Sequence, residues 1–547
     1  MGDEDVETPR AGPPLWLILL FAASWLALLG VRPLFNPDEG RYAEIPREIL
    51  ATGNWLVPHL NGLVYIEKPP LQYWATAVSF ALFGTHVWTA RLYTGLCALL
   101  TILIAAALAR RLWGAAAAWR AGIMLASTWG IIVMGQQLTL DMSLTFYMTA
   151  TLACFCVAQE RATADRARAR WMWLAWAAAA ATFLTKGLIA LVLPAITLVG
   201  YCLLYRRWQV WRRLSIGTGL IIFVLLVLPW CVLMQRHLPQ FFDFFFVREH
   251  FQRFLTRIED RYEPWWFFIP VLAAGALPWI LPAGRALGSA WRTTLPGARD
   301  FDSRAFLWVW CVVVFAFFSL SDSKLIPYIL PMMPALILVT VSCPAESLRR
   351  DLARTSIGVI GFGVLFIVGG ALLPQFLHNP ARAPYFAQLR TPILLMGLVA
   401  VCGGFIARRQ REPTLTVGLT SYLCVAILFF GARALAPLYS GESLAVPIRH
   451  AIMAGTTLYA VRTYDQSLPF YLAHTMTLVD TRGELDFGLR LEPAKAITTL
   501  NEFAARWQNE DDAMALMEPD TYELLQRQGL PMVVRAHAPD RLIVSRR

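Results

Sequence analysis

The chain has little charge, and almost none of its positive charge is lysine. Only 16% of its 547 residues are charged, and four of its 48 basic residues are lysines (Lys68, Lys186, Lys324 and Lys495), the other 44 being arginine. So low a charged fraction, beside 57% apolar residues with 21 Trp and 32 Phe, excludes an ordinary soluble globular protein. The formal net charge of +11 does not make a nucleic-acid surface, because the arginines sit in short clusters between apolar runs and act there as topology signals. The nine cysteines lie within or at the edges of apolar segments and none follows Cys424, which argues against a disulfide framework or a Cys-based zinc site. The sequence also lacks a glycine-rich phosphate loop, an internal repeat and a low-complexity tract. What remains is a polytopic membrane protein.

Apolar runs near 15–31, 89–109, 114–134, 142–158, 171–184, 187–205, 215–233, 265–283, 305–320, 326–342, 355–373, 391–407 and 414–432 approach the ~20 residues that a spanning helix needs. That predicts about thirteen spans by the same length rule. The first run shows no small-residue cleavage site and reads as a retained helix. Arginines at 110 and 111, 161–170, 206–213, 285–304, 349–354 and 408–411 mark every second connection as cytoplasmic, with the N-terminus inside and the C-terminus outside. The short run 71–84 would break that parity as a span, so it is expected to lie along the outer leaflet. The first outer loop, 32–88, also contains 41–51, readable as a surface helix. After residue 432 the pattern turns to alternating runs such as "TTLYAVRT" mixed with helical spacing. The expected organisation is a membrane domain over 1–432 and an α/β domain over 433–547 on the outer face.

With that topology, charges on the outer side gather at the membrane boundary in several connections. They are Asp38, Glu39 and Arg41; Glu67 and Lys68; Asp141; Lys186; Arg248, Glu249, His250 and Arg253; and Asp322 and Lys324. Ionisable groups near hydrocarbon are costly, so they face a cavity or pair with one another. Interfacial anchoring or internal salt bridges are the plain alternative for each. The lysines favour a site: three of the four stand at outer boundaries, and a compact ammonium can meet a phosphate as a point charge. Carboxylates beside these cations suit a site for an anionic group together with a polar or cationic one. A dedicated metal cage would want more oxygen ligands and less positive charge. Glu67 and His250 could share a divalent ion such as zinc, but two residues on different loops are a weak ligand set, and isolated histidines are usually hydrogen-bonded.

"NPDEGRYAEIPREILATGNWLVPHLNGLVYIEKPPLQYW" resembles the first outer loop of the GT-C glycosyltransferases that use polyprenyl-phosphate sugars, a superfamily that includes the protein O-mannosyltransferases. "DEGRYAE", "YIEKPPL", "HFQRF" and "SDSKLIPYILP" together resemble the bacterial 4-amino-4-deoxy-L-arabinose transferases that modify lipid A. The resemblance implies an all-α GT-C membrane bundle with interfacial periplasmic helices and a C-terminal α/β periplasmic domain. It implies undecaprenyl phosphate-4-amino-4-deoxy-L-arabinose as donor and a lipid A phosphate as acceptor, at the periplasmic face of a bacterial inner membrane. By the same resemblance Asp38 is the essential acid and Asp141 the second acidic position. Lys68 binds the donor phosphate with Arg41 and Arg253, and Tyr65 and Tyr328 stand nearby. Glu67 would tune Lys68 or contact the sugar. Lys186 and Lys324 would bind acceptor or lipid phosphate, with interface anchoring as the alternative.

The chemistry agrees with that implication. Cleaving the bond from sugar to phosphate leaves a polyprenyl phosphate whose extra negative charge Lys68, Arg41 and Arg253 would stabilise. A phosphate acceptor is already anionic, so a strong base is less needed than for a hydroxyl. Asp38 could orient the acceptor, shield the anomeric carbon or pair with the sugar's amino group. The aromatic segment 241–251 could form part of a groove for the lipid tail as a third interfacial helix. Membrane lipids and no nucleic acid are the other expected contacts, no required cofactor is indicated beyond the zinc option, and a monomer is expected. An O-mannosyltransferase-like enzyme acting on serine or threonine would keep the fold and require Asp38 as a true base. A lipid transporter would call for repeated halves with interrupted helices, which the sequence does not show. Masking lipid A phosphates with a cationic sugar would weaken the binding of cationic peptides such as polymyxin.

Overall fold

The computed structural model describes residues 13–252, 263–293, 301–453, 455–481 and 483–546. The first helices are α1 (Leu15–Leu28), α2 (Asp38–Thr52), α3 (Leu71–Phe83), α4 (Val87–Trp113), α5 (Ala115–Ala126), α6 (Trp129–Gly135), α7 (Leu140–Gln159), α8 (Asp165–Lys186), α9 (Ile189–Tyr205) and α10 (Ile216–His237). They are followed by α11 (Asp243–Gln252, wound with π-type hydrogen bonds), α12 (Phe268–Gly275), α13 (Ile280–Thr293), α14 (Ser303–Leu320), α15 (Met333–Val341), α16 (Ala345–Leu372), α17 (Ala383–Ala387), α18 (Arg390–Arg408) and α19 (Thr414–Ala432). Among the described residues, seven helices are long and apolar enough to cross a bilayer: α4, α7, α10, α14, α16, α18 and α19. The count is nine if the bent pairs α5/α6 and α12/α13 are one span each, and four shorter apolar segments accompany them.

Two runs expected as single spans are broken. Residues 114–134 bend by 58° where the hydroxyls of Ser127 and Thr128 bond back to the carbonyls of Ile123 and Met124, competing with the helix's own ladder. Residues 265–283 bend by 117° just ahead of α13, at a junction that contains Pro278, which has no N–H to give. The pair α16 and α18 packs through small residues instead of bending. A Cβ on Gly363 would stand 2.6 Å from the Gly397 carbonyl oxygen, so the two backbones touch as small-residue membrane pairs do.

The C-terminal part carries a six-stranded sheet in the order β5 (Ala496–Ile497), β4 (Thr477–Val479), β3 (Thr457–Val461), β6 (Ala513–Met517), β8 (Leu542–Ser545), β7 (Val533–His537). Its β3–β6 portion is parallel, and β8 and β7 close it antiparallel. Strand periodicity divides β3 between two cores: Tyr459 and Val461 pack with Phe503 and Trp507 on one face, and Leu458 and Ala460 pack with Tyr42, Ala43, Ile45, Ile49 and Tyr73 on the other. The second core therefore joins the sheet to α2 and α3. Residues 41–51 form the expected helix, but not a surface one: Ala43 and Ile45 are fully buried in the core that α2 shares with the C-terminal part. The loop before α3 holds a short antiparallel hairpin, β1 (His59–Leu60) with β2 (Leu63–Val64).

Candidate active site

The start of α2 is fixed by Glu39. Its fully buried carboxylate receives two hydrogen bonds from Arg91 of α4, at 2.7 and 2.9 Å, an ion pair from Arg32, and the backbone N–H groups of Phe35 and Leu138 at 2.9 and 3.0 Å. Arg91 spends its remaining donors on the carbonyls of Leu29, Arg32 and Pro33. Burial alone would raise the Glu39 carboxyl, but the two guanidiniums outweigh it and hold the group at about 2. Of the adjacent carboxylates, Glu39 is thus an anchor, and Asp38 is the one presented outward, with its side chain 46% exposed.

Arg41 lies one turn along α2. It donates to Asp38 at 3.2 Å and makes an ion pair with Glu484 of the C-terminal domain. Its guanidinium stands 5.9 Å from the Tyr42 ring centre and 6.0 Å from that of Tyr65. Gly40 permits this docking: a Cβ there would fall 2.7 Å from the Gln466 carbonyl oxygen. Tyr42 and Tyr73 stack with centroids 6.0 Å apart. The hydroxyls of Tyr65 and Tyr73 and the Arg41 Nε are buried with no hydrogen-bond partner among the described residues, which in a native site marks where a polar ligand group or water belongs.

Hairpin β1/β2 delivers Tyr65, Glu67 and Lys68 to the same region. Lys68 donates to the Glu67 carbonyl at 3.1 Å and to the Glu249 carboxylate of α11 at 3.4 Å. Along the same chain segment Phe241, Phe242 and Phe246 face Phe183 of α8 and Phe223 and Val227 of α10 across an apolar groove of about 660 Å³. The segment 241–251 is helical over Asp243–Gln252, as expected. Arg253 and the His250 side chain lie outside the described residues.

Asp141, in the first turn of α7, accepts a 2.5 Å hydrogen bond from Lys186, the last residue of α8. Tyr328, grouped on sequence with the donor-phosphate residues, has its ring centre 4.7 Å from the Lys186 ammonium. Lys324 is 5% exposed and donates to the carbonyls of Ser321 and Glu263 at 2.5 and 2.8 Å, so it holds the turn after α14. Among the described residues no three His, Cys, Asp or Glu side chains gather as a metal-binding group.

The buried Tyr42 hydroxyl reports the convergence. Its pKa is raised by burial first, then by Asp38, with Glu67 and Asp141 adding and Arg41 opposing. Asp38, Arg41, Glu67 and Asp141 therefore lie within electrostatic reach of one hydroxyl. Sequence reasoning gave no role to Glu484, Tyr42, Tyr73 or Arg91, and left Glu249 without a partner. Arg91 had a signal, being an arginine within an apolar run. Glu484 had none, since it is one acid among many in a soluble-looking domain.

A family model described as dolichyl-phosphate-mannose-protein mannosyltransferase matches residues 15–245. A second, described as aminoarabinose transferase C-terminal domain, matches 444–546. Together with the apolar bundle and its charged pocket, these define a multi-pass membrane glycosyltransferase. The undecaprenyl phosphate-alpha-4-amino-4-deoxy-L-arabinose arabinosyl transferase of Pseudomonas paraeruginosa is 32% identical over 496 residues, 86% of each chain. That of Proteus mirabilis, numbered 2, is 32% identical over 375 residues, 68% of this chain and 66% of its own. The crystal structure of ArnT from Cupriavidus metallidurans bound to undecaprenyl phosphate superposes with a TM-score of 0.89 at 33% identity, covering 97% of this chain and 98% of that one. The chain belongs to the aminoarabinose arabinosyl transferase family.

Proposed function

We propose that this enzyme transfers 4-amino-4-deoxy-L-arabinose from undecaprenyl phosphate to a phosphate of lipid A, as a monomer at the periplasmic face of a bacterial inner membrane. The donor is supported by the names of the relatives and by the undecaprenyl phosphate bound to the similar Cupriavidus metallidurans structure. The observation that carries the reading is a continuity: one segment lines an apolar groove with Phe241, Phe242 and Phe246 and then brings Glu249 against Lys68. A lipid phosphate has the same plan, a tail for the groove and an anion for the ammonium.

In this reading the bundle has about thirteen spans of ~20 residues, with residues 1–432 as the membrane domain and 433–547 as the outer α/β domain. Lys68, with Arg41 and Arg253, stabilises the departing undecaprenyl phosphate as the bond from its oxygen to the sugar's anomeric carbon breaks. A phosphate oxygen of lipid A forms the new bond to that carbon. Asp38, exposed at the pocket's mouth, orients the acceptor or meets the positive charge that develops on the sugar. The sugar's amino group fits an acidic wall, which Glu67 and Glu484 supply. Lys186 and Lys324 are assigned to the acceptor side, Lys324 by holding the turn. Glu67 and His250 would supply only two ligands to a zinc ion, fewer than a zinc site uses. The added cationic sugar cancels lipid A charge and so weakens polymyxin binding.

The test is mass spectrometry of lipid A from polymyxin-sensitive cells that lack their own transferase, make the donor, and express this chain or Asp38→Ala. The parent should add one aminopentose mass to lipid A, and the equally expressed variant should not. No added mass with donor present and folded protein in the membrane would overturn the substrate assignment.

A further inference from the structure

At the other end of the bundle the arginines do more than mark topology. α14 begins beside Arg304 and ends one residue before Ser321, whose carbonyl holds Lys324. Its length places the two ends about 27 Å apart, so the start of α14 is on the face opposite the candidate active site. There the middle of α13, the end of α15 and the start of α16 border a half-open cavity of about 220 Å³ lined by Arg285, Arg350 and Arg354, with Ser347 and Cys343. Arg304 reaches its wall by donating to the Cys343 sulfur at 3.5 Å.

Four guanidiniums and one carboxylate thus line or border the cavity. Asp351 pairs with Arg285 and, at 3.5 Å, with Arg354. Arg350 has no ion pair among the described residues. Arg304 spends one donor on sulfur, a weak acceptor, and its Nε is buried without a partner among the described residues. α16 begins after Pro344, with no side-chain cap, so the N–H groups of its first turn stay available beside Ser347. A preference for positive charge on the cytoplasmic side explains why arginines are here. It does not explain their convergence on a half-open polar cavity with donors left over. At about 30 Å³ per water, the space holds several water-sized groups, enough for a phosphate and its ester carbon.

We infer that this cavity is a phosphate-binding site, filled by the phosphate of an anionic phospholipid headgroup or by free phosphate. Arg304, Arg350 and Arg354 with the α16 N-terminus supply the charge and the N–H donors. The site is separate from the transfer chemistry and stands independently of the proposed donor and acceptor.

The experiment is thermal unfolding of the purified full chain in neutral detergent, titrated with phosphatidylglycerol, phosphatidylcholine or inorganic phosphate. Three proteins are compared: the parent, an Arg350→Gln/Arg354→Gln double variant, and an Arg166→Gln/Arg170→Gln control that removes the same charge from an exposed cluster elsewhere. Phosphatidylglycerol should stabilise the parent and the control, while phosphatidylcholine should not. The Arg350/Arg354 variant should need about tenfold more, the loss expected for about one charge-assisted hydrogen bond. Stabilisation by phosphatidylglycerol alone identifies a lipid headgroup, and matching stabilisation by inorganic phosphate identifies a site open to solution. The inference is overturned if neither anion stabilises the parent, if the Arg350/Arg354 variant responds like the parent, or if the control loses the response equally.

Discussion

Lys186 closes one helix onto the start of another: its ammonium is 2.5 Å from an oxygen of Asp141, and the face of Tyr328 covers it at 4.7 Å. The carboxylate sits at a helix N-terminus and the ammonium at a helix C-terminus, so each also favours the local end of a macrodipole. Both side chains are largely buried, and removing either charge strands the other. Asp141→Asn and Lys186→Met should each lower lipid A modification by about tenfold or more, as coupled buried groups do. The double variant should be close to the worse single one. Losses that multiply in a double-mutant cycle would show that the two residues act independently.

Glu39 should matter for stability more than for chemistry. Glu39→Gln leaves Arg32 and Arg91 buried beside a neutral amide, a loss of about 3–5 kcal/mol by the usual cost of breaking a buried pair. Its folded pKa is depressed to about 2, so its contribution is present above the ordinary carboxylate range and lost as pH falls toward that value. Thermal unfolding of Glu39→Gln should show a large drop in midpoint at neutral pH. A wild-type midpoint would disprove the anchoring role.

The membrane bundle, the α/β character after residue 432 and the charged loop after the first apolar helix were legible because each leaves a local pattern: long apolar runs, alternating strands, or acids and bases beside an apolar run. The residues around Asp38 were legible as a motif, but not the division of labour within it. Nothing in "DEGRY" says that Glu39 points inward to Arg91 while Asp38 points outward, because that depends on an arginine 52 positions away. Glu484 was illegible for the same reason, its partner Arg41 lying across a docked domain. The breaks within 114–134 and 265–283 were harder still, since the apolar count stays high through a bend.

The face between α2 and the sheet should respond to pH. Glu48 is buried, accepts the Gly62 N–H at 3.0 Å and has Glu44 one turn before it, with Arg47 and Tyr464 facing the pair. Burial first, and then the neighbouring Glu44 charge, push the Glu48 carboxyl up to about 8. The folded protein then binds this proton more tightly than the unfolded chain does. Stability from this group is complete below 4.5, falls as pH rises, and is fully lost above about 8. The slope is at most about 1.4 kcal/mol per pH unit. Glu48→Gln, which keeps an acceptor for Gly62, should flatten the unfolding midpoint across that window. An unchanged slope would move the pH dependence to other groups.

The C-terminal domain is expected to be part of the active pocket, because Glu484 pairs with Arg41 and Gly40 lets α2 approach the backbone of Gln466. Two substitutions probe that contact from opposite sides. Glu484→Gln removes the charge but keeps the shape, so transfer should fall by about tenfold, the worth of one charge-assisted hydrogen bond, while the drop in unfolding midpoint should be smaller than that of Glu39→Gln because Arg41 keeps Asp38 as a carboxylate partner. Gly40→Ala keeps every charge but puts a methyl against the opposing backbone, so it should lower both the midpoint and transfer. Lipid A mass spectra with matched membrane protein levels separate the two effects. Full transfer by Glu484→Gln would mean that Arg41 holds its position without the domain, and that the sheet serves the fold and not the chemistry.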